Sequence, residues 1–325
     1  MWEILEGGLM TTVQDLGRPG HFAMGVPPSG AFDAFSLKVG NLILKNELKE
    51  AGLEVLLPGL RMKALTEMAI AVTGGDLSPT LNGHAVEMWR VIRVHKGDVL
   101  HFSRLRTGCR AYITVLGGID VPPVLGSKST LLQGKLGGYE GRVLGKGDIL
   151  KVGDKGMSPS QLEGRKAAPP LVRQFGKSFQ IRVVRGLEDF LFTPESIEIF
   201  FSSEWKVSPK ANRMGVRYRG PRLSFKPRNQ TMDHEAGSDP SNILDDCIPT
   251  GGIQVVAGIE PIVLCVDGPS TGGYAKIGTV ISSDISWIGQ SKPGDSTSFK
   301  EVSLDEAHRI LKEEEALFHE GLVLT

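Results

Sequence analysis

The densest run of side chains able to do chemistry is Asp267-Gly-Pro-Ser-Thr-Gly-Gly-Tyr-Ala-Lys276. A hydroxyl (Thr271), a phenol (Tyr274) and an ammonium (Lys276) stand around Gly272 and Gly273. Without side chains, those two residues let backbone N–H groups come close to a ligand oxygen. The competing reading is a plain hairpin turn. Asn212-Arg-Met-Gly215 adds a second set: Arg213 can grip a carboxylate or phosphate through two nitrogens, and Asn212 supplies an amide beside it. Asp245 and Asp246 precede a glycine turn that leads to Gln254 on the next strand. Adjacent aspartates project differently, so they make no ready acid–base pair, and a metal role would need further ligands.

Two earlier segments carry weaker signals. Asp15 and Arg18, in Thr12-Val-Gln-Asp-Leu-Gly-Arg-Pro-Gly20, either grip a polar substrate or organise their own loop. Ser29-Gly30, just ahead of a helix start, is either an anion cradle or a rigid proline turn capped by Asp33. Gly126-Ser-Lys-Ser-Thr130 and the glycines from Gly134 to Gly147 either line a ligand or connect strands.

Other chemistries find no support. The G-x-x-x-x-G-K-[ST] phosphate loop and the G-x-S-x-G elbow are absent. The seven histidines are scattered, and Asp233-His234-Glu235 lies in a polar loop that reads as solvated surface. Cys109, Cys247 and Cys265 are odd in number and lack C-x-x-C spacing, which argues against disulfides and structural zinc. Metal is expected to be none. Arg61-Met-Lys-Ala64 has the wrong neighbours for a biotin attachment site.

The elements that must position these residues are mostly strands. Short apolar runs closed by Gly/Asp turns recur at Met68–Thr73, Val91–Val94, Val99–Phe102, Ala111–Leu116, Phe179–Val184, Ile253–Val256, Pro261–Val266 and Thr279–Ile281. Asp33 caps a helix through Leu44. A capping box at Ser303–Glu306 starts another, with Leu304, Ala307, Ile310, Leu311 and Leu317 as its apolar stripe. Glycine is abundant, at 41 of 325 residues, as many tight turns require. The fold class expected is mainly β with a few helices, in two β-rich domains. These are an N-terminal domain over 1–165 and a C-terminal domain over 171–325, with a linker between Asp154 and Lys177 where prolines interrupt any apolar period.

Lys and Arg total 37, as do Asp and Glu, so the electrostatic footprint of a nucleic-acid or membrane-surface binder is missing. No stretch approaches the roughly 20 apolar residues of a membrane span, and Glu3 and Glu6 stand where a signal peptide would be basic. A cytoplasmic protein is expected.

Taken together and in order, Thr12–Gly20, Gly25–Asp33, Leu77-Ser-Pro-Thr-Leu-Asn-Gly83, Gly117–Asp120, Leu125–Thr130, Asn212–Gly215, Gly252–Gln254 and Thr271–Tyr274 resemble one family. It is the group of biotin-dependent carboxyltransferases and 5-oxoprolinase C subunits, also called allophanate hydrolase subunit 2-like or KipA-like. The resemblance runs from about Leu5 to Gln290. It implies a cyclophilin-like β-barrel in the C-terminal half and a cleft completed by a partner resembling the 5-oxoprolinase B subunit (KipI-like, or allophanate hydrolase subunit 1-like). As a C subunit, the chain would open 5-oxo-L-proline to L-glutamate with the A and B subunits, using ATP held with a partner. Two alternatives stay open: a carboxyltransferase acting on urea or another small amide, with biotin on a separate carrier, and a regulatory protein that binds a kinase-inhibitor partner. Matched motifs place Arg213, Thr271, Tyr274 and Lys276 in catalytic roles. They place Asp15, Arg18, Ser29, Asn212, Gln254, Gly272 and Gly273 in substrate binding. Arg213 and Lys276 would offset phosphoryl charge while the Gly272-Gly273 amides hold an oxyanion. Ala275 stands where the family more often has proline, which bears on substrate identity more than on fold.

Overall fold

The computed structural model describes residues 1–227 and 236–325, so Asp233-His234-Glu235 lies outside the described residues. By internal contacts the chain divides into two units, interleaved in sequence. One comprises Met1–Arg18, Ser29–Gly176 and Glu315–Thr325; the other comprises Pro19–Pro28 and Lys177–Glu314.

The first unit is built on two antiparallel sheets. A seven-stranded sheet runs in the order Ile119–Asp120, Ile149–Val152, Trp2–Gly7, Leu60–Ala64, Val99–Phe102, Pro79–Leu81, His84–Ala85. A five-stranded sheet runs Met10–Gln14, Gly52–Leu56, Arg110–Val115, Met68–Gly74, Val91–Val94. Trp2, Ile4, Val13, Leu53, Val55, Met62, Val72, Leu100 and Ile113 share one buried core. The burial patterns follow from what covers each strand. Leu60–Ala64 alternates, with Arg61 and Lys63 outward, because one of its faces meets water. Met68–Gly74 is buried at every position, because helix α1 (Ala34–Ile43) lies over its other face. Asp33 caps α1, accepting from the Ser36 amide at 3.0 Å. Gly40 lets that helix approach: a Cβ there would fall 2.6 Å from Thr114 Oγ1.

The segment expected as a linker is largely part of this unit. Leu162, Ala167 and Leu171 are buried in the same cluster as Phe35 and Val39, and Lys166–Ala167 pairs with Val323–Leu324. Its prolines break periodicity by starting two short 3₁₀ turns, at Pro159–Leu162 and Pro169–Leu171, so apolar spacing was a poor guide to burial there.

The second unit contains a closed barrel of seven strands. Its order is Ser178–Arg185, Lys276–Val280, Gly252–Val256, Glu260–Leu264, Gly215–Arg219, Glu204–Val207, Ser296–Glu301, the last pairing parallel with the first. Phe179, Ile181 and Val183 alternate inward along the first strand. Helix α2 (Pro194–Ser202), which the sequence reading missed, is capped by Thr193 and stacks Phe200 on Phe299 with ring centroids 4.6 Å apart. Helices α3 (Ile285–Gln290) and α4 (Leu304–Glu315) follow. Ser303 caps α4 through the Glu306 amide as expected. Its stripe departs from expectation at Leu304, which is 58% exposed, because the contact cluster takes Val302, Ala307 and Ile310 and bypasses it. The chain is mainly β with a few helices, and the expected barrel is present. Beside the barrel, Asn242–Cys247 and Thr271–Tyr274 form a separate two-stranded sheet.

Candidate functional site

In the first unit, Asp15 follows the strand Met10–Gln14 and its carboxylate is saturated by its own surroundings. Oδ1 accepts from the Gly17 amide at 2.7 Å and from the hydroxyls of Ser127 and Ser129, while Oδ2 accepts from the Lys128 amide at 2.6 Å. Arg18, 1% exposed, donates to the carbonyls of Ser129 and Val124. The loop Gly126–Thr130 therefore wraps around Asp15 and Arg18. Gly137 lies on that loop, where a Cβ would meet Ser129 O at 2.2 Å.

The Ser29-Gly30 loop packs on the same strand end, and the Ala31 amide donates to Asp15 O at 2.8 Å. Three amides at and just before the start of α1 are already used. Phe32 donates to Glu54, Asp33 to the Tyr112 hydroxyl, and Ser36 to Asp33. Ser29 keeps a buried hydroxyl with no partner among the described residues, in a left-handed conformation at φ 56°. Below this loop lies a buried polar network that sequence spacing did not reveal. The Tyr112 hydroxyl donates to Glu54 at 2.7 Å, and Arg110 sits 3.4 Å from Glu54 and over the Phe32 ring. Burial and the neighbouring Glu54 push the Tyr112 phenol well above its ordinary value, so it stays a neutral donor.

In the second unit the run Asp267–Lys276 is tied at both ends. At its start, Arg213 clasps Asp267 through two nitrogens, at 2.7 and 3.0 Å, with both side chains 6% exposed. The Asp267 amide also donates to Arg213 O. Asn212 builds the turn that presents Arg213, its side-chain oxygen accepting from the amides of Met214 and Gly215.

At the other end, Lys276 enters the barrel strand beside Gln254. Its ammonium lies 2.9 Å from Glu188 and 2.9 Å from Asp246, and its amide donates to Glu188 at 2.7 Å. Burial works against its charge, yet its hydrogen bonds to Glu188 and Asp246 outweigh that and hold its pKa above the ordinary lysine value. The bond from Lys276, with one from the Cys247 amide, holds the Asp246 carboxyl below the usual carboxylate value. Between the ends, Gly272 pairs with Asp246 and Thr271 with Cys247. A Cβ on Gly272 would strike Gln254 Nε2 at 2.8 Å, so the missing side chain is what lets the buried Gln254 amide reach this ribbon. Thr271 and Tyr274 are exposed.

Gln254, Gly272, Gly273, Tyr274 and Lys276 thus share one surface of the second unit, with Arg213 bracing its approach. Asp15, Arg18 and Ser29 cluster within the first unit. Sequence reasoning missed Glu188, which stands in an unremarkable turn 88 residues before Lys276. Asp246 carried a signal, as an aspartate pair near a glycine turn, but nothing in the spacing pointed to its lysine.

Comparison with known proteins agrees with this architecture. A family model described as carboxyltransferase domain, subdomain A and B, matches residues 24–301. The urea amidolyase of Lachancea kluyveri is 40% identical over 97% of this chain, which spans only 18% of that protein. The 5-oxoprolinase C subunit of Escherichia coli is 34% identical over 98% of this chain and 97% of its own length. The crystal structure of the K. lactis urea amidolyase superposes with a TM-score of 0.91 at 36% identity, covering 98% of this chain and 20% of that one. With most of its length matched by the family model, and a relative of the same span at this identity, the chain belongs to the carboxyltransferase domain A and B family.

Proposed function

We propose that this chain is the C subunit of an ATP-dependent 5-oxoprolinase, contributing the surface that holds the lactam while partner subunits complete the reaction. The observation that carries this reading is the Lys276 ammonium, set between Glu188 and Asp246 beside Gln254. The 5-oxoprolinase C subunits of Escherichia coli and Haemophilus influenzae, 34% and 31% identical over 98% and 97% of this chain, support it.

The chemistry of the second-unit cluster supports an amide ligand. Resonance makes an amide carbonyl a weak electrophile, so it must be activated and its developing negative oxygen stabilised. An ammonium has three donors; Glu188 and Asp246 take two from Lys276, which leaves the third for a carbonyl oxygen. The Gln254 amide, which donates to the Tyr274 carbonyl, and the Gly272-Gly273 backbone of the paired ribbon lie beside it. The phosphoryl role expected for Arg213 and Lys276 fits less well. Two cations here face three carboxylates, Asp267, Glu188 and Asp246, so neither offers uncompensated charge to a triphosphate. That balance suits ATP held by a partner subunit. ATP, where bound, supplies the phosphoryl group that activates the amide; this chain orients the carbonyl and donates to it.

A second reading has its own support, since identity to the urea amidolyases reaches 40%. The same donors would then hold urea, with the carboxyl donor carried on a biotinylated partner.

One reconstitution separates the two. The chain is mixed with the A and B subunits, and glutamate release from 5-oxoproline is followed with ATP. In parallel, avidin-sensitive carboxylation of urea is followed with a biotinylated carrier. Glutamate release supports the first reading, avidin-sensitive carboxylation the second, and neither reading survives if both assays are silent.

A further inference from the structure

The Leu77–Gly83 motif, which the proposed reaction does not use, borders a hollow of about 600 Å3 in the first unit. None of the sequence-predicted site residues lines it. We propose that this hollow binds a small organic carboxylate with a flat apolar body, independently of the lactam site.

Charge is the first reason. In a chain whose charges balance overall, the lining holds Arg104 and Arg106 beside a single carboxylate, Asp76, while a third lining arginine, Arg173, is already stacked over the Phe35 ring. Asp76 answers only part of that charge: it lies 3.8 Å from Arg106 and also accepts the Ser78 amide at 2.8 Å. Among the described residues the Arg104 guanidinium has no partner, although its backbone is fixed. The amides of Arg104, Arg106 and Thr107 donate to the carbonyls of Leu77 and Asp76, and the Ser103 hydroxyl donates to Ser78 O. A guanidinium carried on an anchored backbone can take a carboxylate through two nitrogens.

An orphaned donor is the second. The Ser78 hydroxyl is buried and has no hydrogen-bond partner among the described residues, a state that costs free energy unless something fills it. Strain is the third. Ser78 at φ 54° and Trp89 at φ 62° both line the hollow, and a bulky aromatic residue in the left-handed region is uncommon. Backbone held this way persists where the surroundings enforce it, and such residues gather at ligand sites. Trp89 and Phe175, both nearly buried, with Met88 and Val172, supply the apolar wall that a bare inorganic anion would not need.

The test is calorimetric titration of the full chain with four probes: benzoate, acetate, benzamide and inorganic phosphate. Benzoate is expected to saturate with a Kd of about 1 mM or below, and the other three to bind at least about tenfold more weakly. Arg104→Gln, an exposed change that should leave the thermal midpoint unmoved, is expected to weaken benzoate about tenfold, and Ser78→Ala by about threefold. Absence of saturation by benzoate overturns the proposal. So does phosphate binding as tightly as benzoate, or an unchanged benzoate affinity in Arg104→Gln.

Discussion

Asp15 in the first unit and Lys276 in the second are both charged, both nearly buried, and both drawn from motifs that suggested chemistry. Their surroundings differ in kind. Asp15 takes its four donors from backbone amides and serine hydroxyls of its own loops, which leaves it nothing to offer a ligand. Lys276 is matched by two carboxylates, one of which, Asp246, is 56% exposed at its side chain. The first arrangement is a clamp that fixes loop geometry; the second holds an ammonium between two carboxylates, one of which is exposed. Charge and burial alone do not separate the two. The identity and exposure of the partners do.

The largest effect expected from breaking this contrast is at the clamp. Asp15→Ala strands two part-buried amides and two buried hydroxyls, and is expected to cost about 4 kcal/mol in urea unfolding. A loss below about 1 kcal/mol would reverse the assignment of Asp15 as a loop organiser. Arg213→Met leaves Asp267 buried without its cation and is expected to cost about 3 kcal/mol, most of which Arg213→Lys should not recover because the two-pronged contact is lost.

Lys276→Met sharpens the comparison from the other side. In the reconstituted complex it is expected to lower kcat about 100-fold while changing stability by only about 1 kcal/mol. Equal losses of activity and stability would make Lys276 a clamp like Asp15.

Titration gives the smallest effect. The Lys276 pKa is raised, so its stabilising contribution is complete below the ordinary lysine value of 10.5 and is lost only as pH rises through the higher folded value. The Asp246 pKa is lowered, so its contribution is present above the ordinary 3.8 and is lost as pH falls through the lower folded value. Between those limits the pair is flat. Asp246→Asn should cost about 0.5 kcal/mol at neutral pH, discounted for its exposure, and nothing in strong acid. The activity profile should show no basic limb from Lys276 below pH 10.5. A limb near neutrality that vanishes in Lys276→Arg would mean the lysine works as a base and not as an ammonium.

How far the fold could be read differed by element. Val91–Val94 and Val99–Phe102 matched residue for residue, since strands between glycine turns carry a local signal. Helix α1 was legible from Asp33, because a cap is written in a few consecutive residues. Helix α2 was missed; its Ile-Glu-Ile-Phe-Phe run suits a strand as well as a helix, and its packing on Phe299 settles the choice. The stretch 154–177 misled for a related reason, as Leu162 and Leu171 are buried by chain segments distant in sequence.

By itself the sequence determined the strand-rich character, the helix starts, the exclusion of phosphate-loop and covalent-hydrolase chemistry, and the residue types gathered around Gly272-Gly273. Those properties are local, set by backbone propensity and by spacing over a few residues. Only the tertiary structure decided that Arg213 belongs to Asp267, that Lys276 belongs to Glu188 and Asp246, and that Asp15 is spent on its own loops. An ion pair depends on distance in space, and barrel closure brings residues 54 and 88 positions apart within hydrogen-bonding reach.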